Sequence, residues 1–180
     1  MELATLLAQN REAVLEKWFD AVVRTYPKQA ADILARQKDR FRNPIRHAIV
    51  NSIGPIYDQI ASDMDAGELR AALDGIVRLR SIQEFAPSTA LAFVFQLKTV
   101  VREVLGDQAR ELERSGGLAD LDARIDRVAL LAFDKYTECR EQVFEIRTRE
   151  IRSLSHRLLE RINVKPGASQ NKGESVDEVI

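Results

Sequence analysis

The chain has 180 residues, of which 45% are apolar and 31% charged, and its formal net charge is -1. Such proportions are typical of one soluble domain that is long enough to bury a core. The near-neutral balance implies no basic face, so we expect no nucleic-acid partner. A single cysteine, Cys139, excludes an intrachain disulfide and a multi-cysteine metal site. Neither a signal peptide nor a membrane span is indicated, so we expect a cytoplasmic protein.

Apolar residues recur at helical spacing along the chain, and no segment alternates as a strand does. This periodicity predicts an all-α fold. A first long amphipathic helix is predicted over residues 3–26, where a proline follows, and a second over about 28–38. The second helix is expected to bury Ala31, Ile33 and Leu34.

Recognisable start signals define the next two helices. The Asn43 side chain can accept from free N–H groups of a first turn, and Pro44 tolerates the first helical position. Pro55, inside that helix, should bend it because proline removes one backbone hydrogen bond. Asp65 and Glu68 have the spacing of a capping box and predict the start of a further helix.

The segment from Leu79 to Glu103 contains the most apolar run of the chain. A helix is predicted to reach Phe85, to break at residues 86–88 and then to resume. Apolar residues occupy nearly all sides of the resumed helix, which is typical of a helix buried at the centre of a fold.

After a loop at Gly116-Gly117, one very long helix is predicted over residues 118–163, with at most one break. Its first half offers core residues: Leu121, Ile125, Val128, Leu131 and Phe133. Its second half is much more charged and is expected to project from the body. We therefore expect a helical domain over 1–146, a projecting helix over 147–163 and a disordered tail over 164–180, where large apolar residues are few.

The last helix carries apolar residues that we expect to contact a second copy or another protein: Phe144, Ile151, Leu154, Leu158 and Ile162. Phe144, Ile151 and Leu158 recur every seven residues, as in a coiled coil, and Leu154 fits the alternate position. Arginines occupy the other alternate positions and weaken this pattern. A homodimer is therefore favoured slightly over a helix that folds back on its own domain.

No catalytic pattern is present in the sequence. It lacks a glycine-rich phosphate loop and a nucleophile elbow, and His47 and His156 are not spaced with other ligands as a metal site requires. We predict no enzyme activity and no cofactor. Cys139 is expected to be an inert small hydrophobe, with redox sensing as the alternative.

The aromatic residues favour core packing, and a pocket for a small ligand is the alternative. This aromatic set consists of Trp18, Phe19, Tyr26, Phe41, Phe85, Phe93, Phe95 and Phe133. The candidates for such a pocket are Trp18, Tyr26, His47, Phe85 and Phe93. In a second functional hypothesis His47 is the axial ligand of a haem in a redox or gas sensor. An enzyme acting on a small apolar substrate ranks last.

Three motifs resemble one known family. Residues 18–27 (WFDAVVRTYP), 39–44 (DRFRNP) and 76–88, with IVRLR and QEFAPS, occur in the order and spacing of the N-terminal domain of RsbRD-type RsbT co-antagonist proteins. The resemblance covers about residues 6–146. It implies a compact all-α domain similar to a globin fold that has lost its haem, used in bacterial stress signalling.

Members of that family often precede a STAS domain, whereas residues 162–180 here contain no βαβ pattern. The resemblance therefore implies a sensory or protein-interaction module without the stressosome scaffold. It implies no catalytic residues. The alternative is a globin-like sensor that binds haem or another small ligand.

Overall fold

The computed structural model describes residues 3–83 and 85–163, with side chains as far as Arg161. Within these ranges all regular secondary structure is helical, which confirms the all-α prediction and the long last helix. The helices are α1 (Leu3–Gln9), α2 (Arg11–Val23), α3 (Lys28–Arg36), α4 (Pro44–Ala61), α5 (Ala66–Ile82), α6 (Pro87–Leu105), α7 (Asp107–Arg114) and α8 (Gly117–Asn163). The predicted tail over 164–180 lies outside the described residues. The likeness to a globin stays a prediction.

Contacts divide the chain into two units, with the boundary between Glu141 and Gln142 inside α8. In the first unit, α2, α4, α5, α6 and the beginning of α8 supply most of the buried core. In the second unit, none of the described side chains is buried. The domain boundary predicted at residue 146 stays a prediction.

The predicted start signals form helix caps. The Asn43 side chain accepts from the Arg46 backbone N–H at 3.0 Å, and the Asp65 side chain accepts from the Glu68 N–H at 2.8 Å. Gln59 supplies the return half of the capping box, because its Oε1 accepts from the Asp65 N–H at 2.8 Å and its amide donates to Glu68. Gln59 thereby fixes the end of α4 to the start of α5.

The long first helix predicted over 3–26 is wrong. It is interrupted at Asn10, whose side-chain amide donates to the Leu6 carbonyl at 2.9 Å. Asparagine forms such local bonds in competition with the helical backbone. The chain also leaves α2 at Val23, before the predicted end, and the Thr25 hydroxyl donates to the Val22 carbonyl at 2.7 Å.

Four apolar residues expected in the core are exposed. Phe41, before α4, is 91% exposed, Ile33 on α3 is 61% exposed, Phe133 on α8 is 55% exposed and Phe95 on α6 is 50% exposed. Helix α3 buries only Leu34, because it lies at the surface and packs on one side. Helix α6 is largely buried as predicted, but Phe95 lies on its open side, where the Lys98 ammonium is 5.9 Å from the ring centroid.

Ion pairs hold the first part of α8 in place. Arg102 on α6 binds both carboxylate oxygens of Asp122 on α8, at 3.0 and 2.7 Å, and Lys98 pairs with Asp126 at 2.7 Å. These pairs set α6 and α8 antiparallel, because the lower-numbered α6 residue meets the higher-numbered α8 residue. Each pair is partly exposed and therefore adds little to the stability of the fold. Its main effect is to fix the alignment of α6 with α8.

We expect Asn43→Ala to lower the free energy of unfolding by about 2 kcal/mol, and Asp65→Ala by about 1 kcal/mol, in urea titrations. Both variants lose a helix cap. Asn43 is also buried and donates to the carbonyls of Gln37 and Ile33, at 2.9 and 3.3 Å, so its loss leaves further groups without partners. Equal losses in the two variants would contradict this difference.

Tyr57 should make the free energy of unfolding depend on pH in the alkaline range. Its hydroxyl donates to the Leu7 carbonyl at 2.8 Å, and burial raises its pKa well above the ordinary value. Above about pH 10 the unfolded chain loses this proton while the folded chain keeps it, so the free energy of unfolding falls as pH rises. Tyr57→Phe should reduce that slope by up to about 1.4 kcal/mol per pH unit in urea titrations. An unchanged slope would refute the assignment.

Candidate functional site

Four of the five predicted pocket residues lie together around a buried arginine. The rings of Trp18 and Phe93 stack with their centroids 6.2 Å apart, and those of Tyr26 and Phe85 meet edge to face at 5.4 Å. The guanidinium carbon of Arg80 lies 5.1, 5.5 and 5.6 Å from the ring centroids of Tyr26, Phe85 and Phe93. We call these five residues the Arg80 cluster.

Arg80 connects the end of α2 to the beginning of α6. Its Nη2 donates to the Thr25 hydroxyl at 2.8 Å and to the Val22 carbonyl at 3.4 Å. Its Nη1 donates to the Thr89 carbonyl at 3.3 Å and lies 3.5 Å from the Ala90 carbonyl. One side chain on α5 therefore fixes two other helices, and the Trp18 indole adds a bond to the Phe93 carbonyl at 2.7 Å.

The charge of Arg80 is stabilised without a carboxylate among the described residues. The side chain is fully buried, and its Nε has no hydrogen-bond partner in residues 3–83 and 85–161. Burial lowers the pKa of Arg80 below its ordinary value, but a guanidinium stays protonated in proteins. Burial also raises the pKa of Tyr26, against the opposing effect of the Arg80 charge. The faces of the aromatic rings and the carbonyl oxygens stabilise the positive charge of Arg80 in place of a carboxylate.

Sequence reasoning assigned no role to Arg80. A signal was present, because Leu69, Leu73, Ile76 and Val77 define the buried stripe of α5 and Arg80 continues it at helical spacing. A charged residue on the apolar stripe of a helix indicates a buried polar contact. Among the described residues the cluster contains no acid, base or nucleophile at its centre, so it supplies packing and connection between helices.

His47 lies on α4, half buried, with its Nε2 2.8 Å from the Asn51 side-chain amide nitrogen. It does not share the contacts of the Arg80 cluster. His156 on α8 pairs with Glu160 at 3.2 Å. Across the described chain, no three or more His, Cys, Asp or Glu side chains are grouped to hold a metal. The role of His47 as a haem ligand stays a prediction.

A groove between α2 and α6 is a second candidate for a small ligand. It has a volume of about 490 Å³ and is lined by Lys17, Asp20, Ala21, Arg24, Gln96, Thr99, Val100 and Glu103. The Oε1 atom of Gln96 is buried and has no hydrogen-bond partner in the part of the chain that the structure describes. The walls carry both signs of charge, and Lys17 pairs with Glu103 across 3.7 Å. Walls with both signs of charge suit a small polar molecule.

The predicted interface residues of α8 are exposed. The exposed fractions are 71% for Phe144, 64% for Ile151, 55% for Leu154 and 59% for Leu158. The side chain of Ile162 lies outside the described part of the chain. No helix in the described ranges is long and apolar enough to cross a membrane.

We expect Arg80→Lys to destabilise the protein by about 2–4 kcal/mol, because an ammonium cannot bond both helices and stack on the rings as the planar fork does. The same substitution at exposed Arg78 on α5 is the matched control and should change little. Burial should lower the pKa of the new lysine, so the unfolded state binds more protons. Stability of the variant should then rise with pH up to about 10, as urea titrations would record. A variant as stable as the parent would contradict this role.

Residues 12–151 match the RsbT co-antagonist protein rsbRD N-terminal domain, a match that includes the whole Arg80 cluster. The chain is also similar to an uncharacterized protein of Archaeoglobus fulgidus, at 25% identity over 143 residues, which are 78% of this chain and 84% of that protein. No solved structure matches the chain. The matched segment runs from the start of α2 well into α8 and agrees with the resemblance of the three sequence motifs. The chain therefore belongs to the family of RsbT co-antagonist rsbRD N-terminal domains, which is a family of regulatory domains.

Proposed function

We propose that this chain is a non-catalytic, cytoplasmic sensory domain that works as a homodimer through the last part of α8. The observation that carries the proposal is the course of α8, a single helix of 47 residues. Its first part supplies buried core residues such as Leu121 and Ile125, whereas the described residues after Glu141 are all at least partly exposed. A helix built in this way can carry a shift from a sensing body to an interface.

The second unit needs a partner to bury its apolar side chains. A single helix of this length is marginal in water by itself, because most helical stability comes from packing of an apolar face. The pairs Glu145–Arg149 and His156–Glu160 add only small amounts. A second copy would present the same seven-residue pattern and cover it, as in a parallel coiled coil.

The arginines at the alternate positions are consistent with a dimer of moderate affinity. Arg140 belongs to the first unit, where its Nη1 donates to the Ser81 carbonyl at 3.1 Å. Arg147 and Arg161 are exposed, and each would face its own copy in a symmetric pair. Such like charges weaken an interface and leave it reversible, which suits a regulatory domain.

The signal in this proposal is a small ligand or a protein partner received by the first unit. The α2–α6 groove offers a place for a small polar molecule, and α2 and α6 are the two helices that Arg80 connects. The family relationship supports regulation and, by extension, a role in bacterial stress response. Neither the binding of a small polar molecule nor the binding of a protein partner requires haem.

The dimer is tested by the pair Leu154→Glu and Leu158→Glu in one chain. The parent should have the molar mass of a dimer in light scattering, and the double variant that of a monomer, because buried carboxylates at facing positions repel and are desolvated.

The matched control is the pair Ile146→Glu and Leu159→Glu. These residues are 54% and 59% exposed on the same helix, close to the 55% and 59% of Leu154 and Leu158, but they lie outside the seven-residue pattern. The control should remain a dimer. A monomeric parent, or equal dissociation of both double variants, would exclude this interface.

A further inference from the structure

Positive charge is concentrated between α3 and α4. Residues 36–46, which we call the basic loop, contain Arg36, Lys38, Arg40, Arg42 and Arg46 but a single acidic residue, Asp39. The whole chain is nearly neutral, with a net charge of -1. The balanced composition therefore conceals one local basic surface.

An aromatic side chain lies at the centre of this charge. Phe41 is 91% exposed, the largest exposed fraction among the described large apolar residues, and the Arg40 guanidinium carbon is 6.0 Å from its ring centroid. Ile33 is 61% exposed and lines a groove of about 330 Å³ with Asp32, Arg36, Gln37 and Arg42, the residue that follows Phe41 in the chain. The surface thus combines two exposed apolar side chains with several arginines.

The basic loop is held in one shape by its own polar side chains. The Asp39 carboxylate accepts from the backbone N–H groups of Phe41 and Arg42, at 2.8 and 3.1 Å. Asn43 bonds back to the carbonyls at the end of α3, and Arg46 donates to the Leu34 carbonyl at 2.9 Å. A surface fixed before binding loses less conformational entropy on binding.

The five basic residues of the loop are not all bound to other parts of the protein. Arg46 lies over the Phe19 ring, with its guanidinium carbon 4.2 Å from the centroid. By contrast, Arg36, Lys38, Arg40 and Arg42 form no ion pair within the described residues. Their charges are available to a partner.

We propose that the basic loop binds an acidic segment of a partner protein, with Phe41 and the Ile33 groove taking an apolar side chain between the carboxylates. Arginine binds carboxylates in a bidentate manner, and arginine and aromatic residues dominate the energetics of protein interfaces. The exposed side chains of Phe41 and Ile33 favour a peptide over a polyphosphate chain, which has no apolar side chain to pack against them. This inference rests on the regulatory function proposed above, since it names the partner class, but not on the dimer.

The direct test is fluorescence anisotropy with labelled random copolymer of glutamate and tyrosine, and with polyglutamate of the same length. The copolymer should bind the parent more tightly than polyglutamate, and binding should weaken between about 0.1 M and 1 M salt. Arg40→Glu with Arg42→Glu should weaken copolymer binding at least about tenfold, and Phe41→Ala about fivefold or more. Phe41→Ala should reduce the preference for the copolymer over polyglutamate.

Matched control variants test whether a loss of copolymer binding is specific to the basic loop or follows from the change in net charge alone. Arg114→Glu with Arg127→Glu changes two exposed arginines on α7 and α8 by the same charge, and Phe133→Ala removes another exposed ring. Both controls should bind the copolymer as the parent does. Equal losses in the controls, or no copolymer binding at about 100 μM, would overturn the proposal.

Single-stranded RNA and phosphatidylserine vesicles, tested on the same variants, decide between classes of partner. Tighter, loop-dependent binding of either would exclude the acidic peptide. Light scattering on each variant keeps the two proposals apart. A monomeric parent that binds the copolymer through the basic loop would refute the dimer alone, whereas a dimer without such binding would refute only this inference.

Discussion

A fully buried guanidinium constrains this fold more than any other group. Arg80 is placed among aromatic rings, and no described carboxylate neutralises it. Removing a charge from water is costly unless oriented groups replace the hydration shell. Here the replacement consists of the Thr25 hydroxyl and carbonyls at the end of α2 and the start of α6. Those segments cannot separate without leaving the charge unsatisfied, so the positions of α2, α5 and α6 depend on one another.

A first unit fixed in this way suits a protein whose activity lies at its surface. The Arg80 cluster connects helices inside the first unit, whereas both proposed interfaces use exposed apolar side chains: Phe41 in the basic loop and the Phe144–Leu158 stretch of α8. Each of these places is supported from within its own unit. Asp39 and Asn43 hold the basic loop, and helical hydrogen bonds together with two ion pairs hold the end of α8.

Sequence reasoning succeeded where a signal is local and failed where it depends on a neighbour. Asn43 and Asp65 cap their helices as predicted, because a cap involves only residues of the same turn. Ile33 and Phe95 were placed in the core because periodicity identifies an apolar residue but not the side on which another helix lies. Arg80 was overlooked because its ring and carbonyl partners come from other parts of the chain, namely α2, α6 and their connections. The basic loop was hidden by averaging charge over the chain.

The two proposed interfaces also differ in how ionic strength acts on them. At the dimer seam Arg147 would face an identical Arg147, so salt that screens their repulsion should favour association. At the basic loop the attraction between arginines and carboxylates is itself screened, so the same salt should weaken binding. An increase in ionic strength would therefore shift this protein toward a dimer without an acidic partner, and a decrease toward a complex with one. Because electrostatics opposes association at the dimer seam and favours it at the basic loop, salt can separate the occupancy of one surface from that of the other.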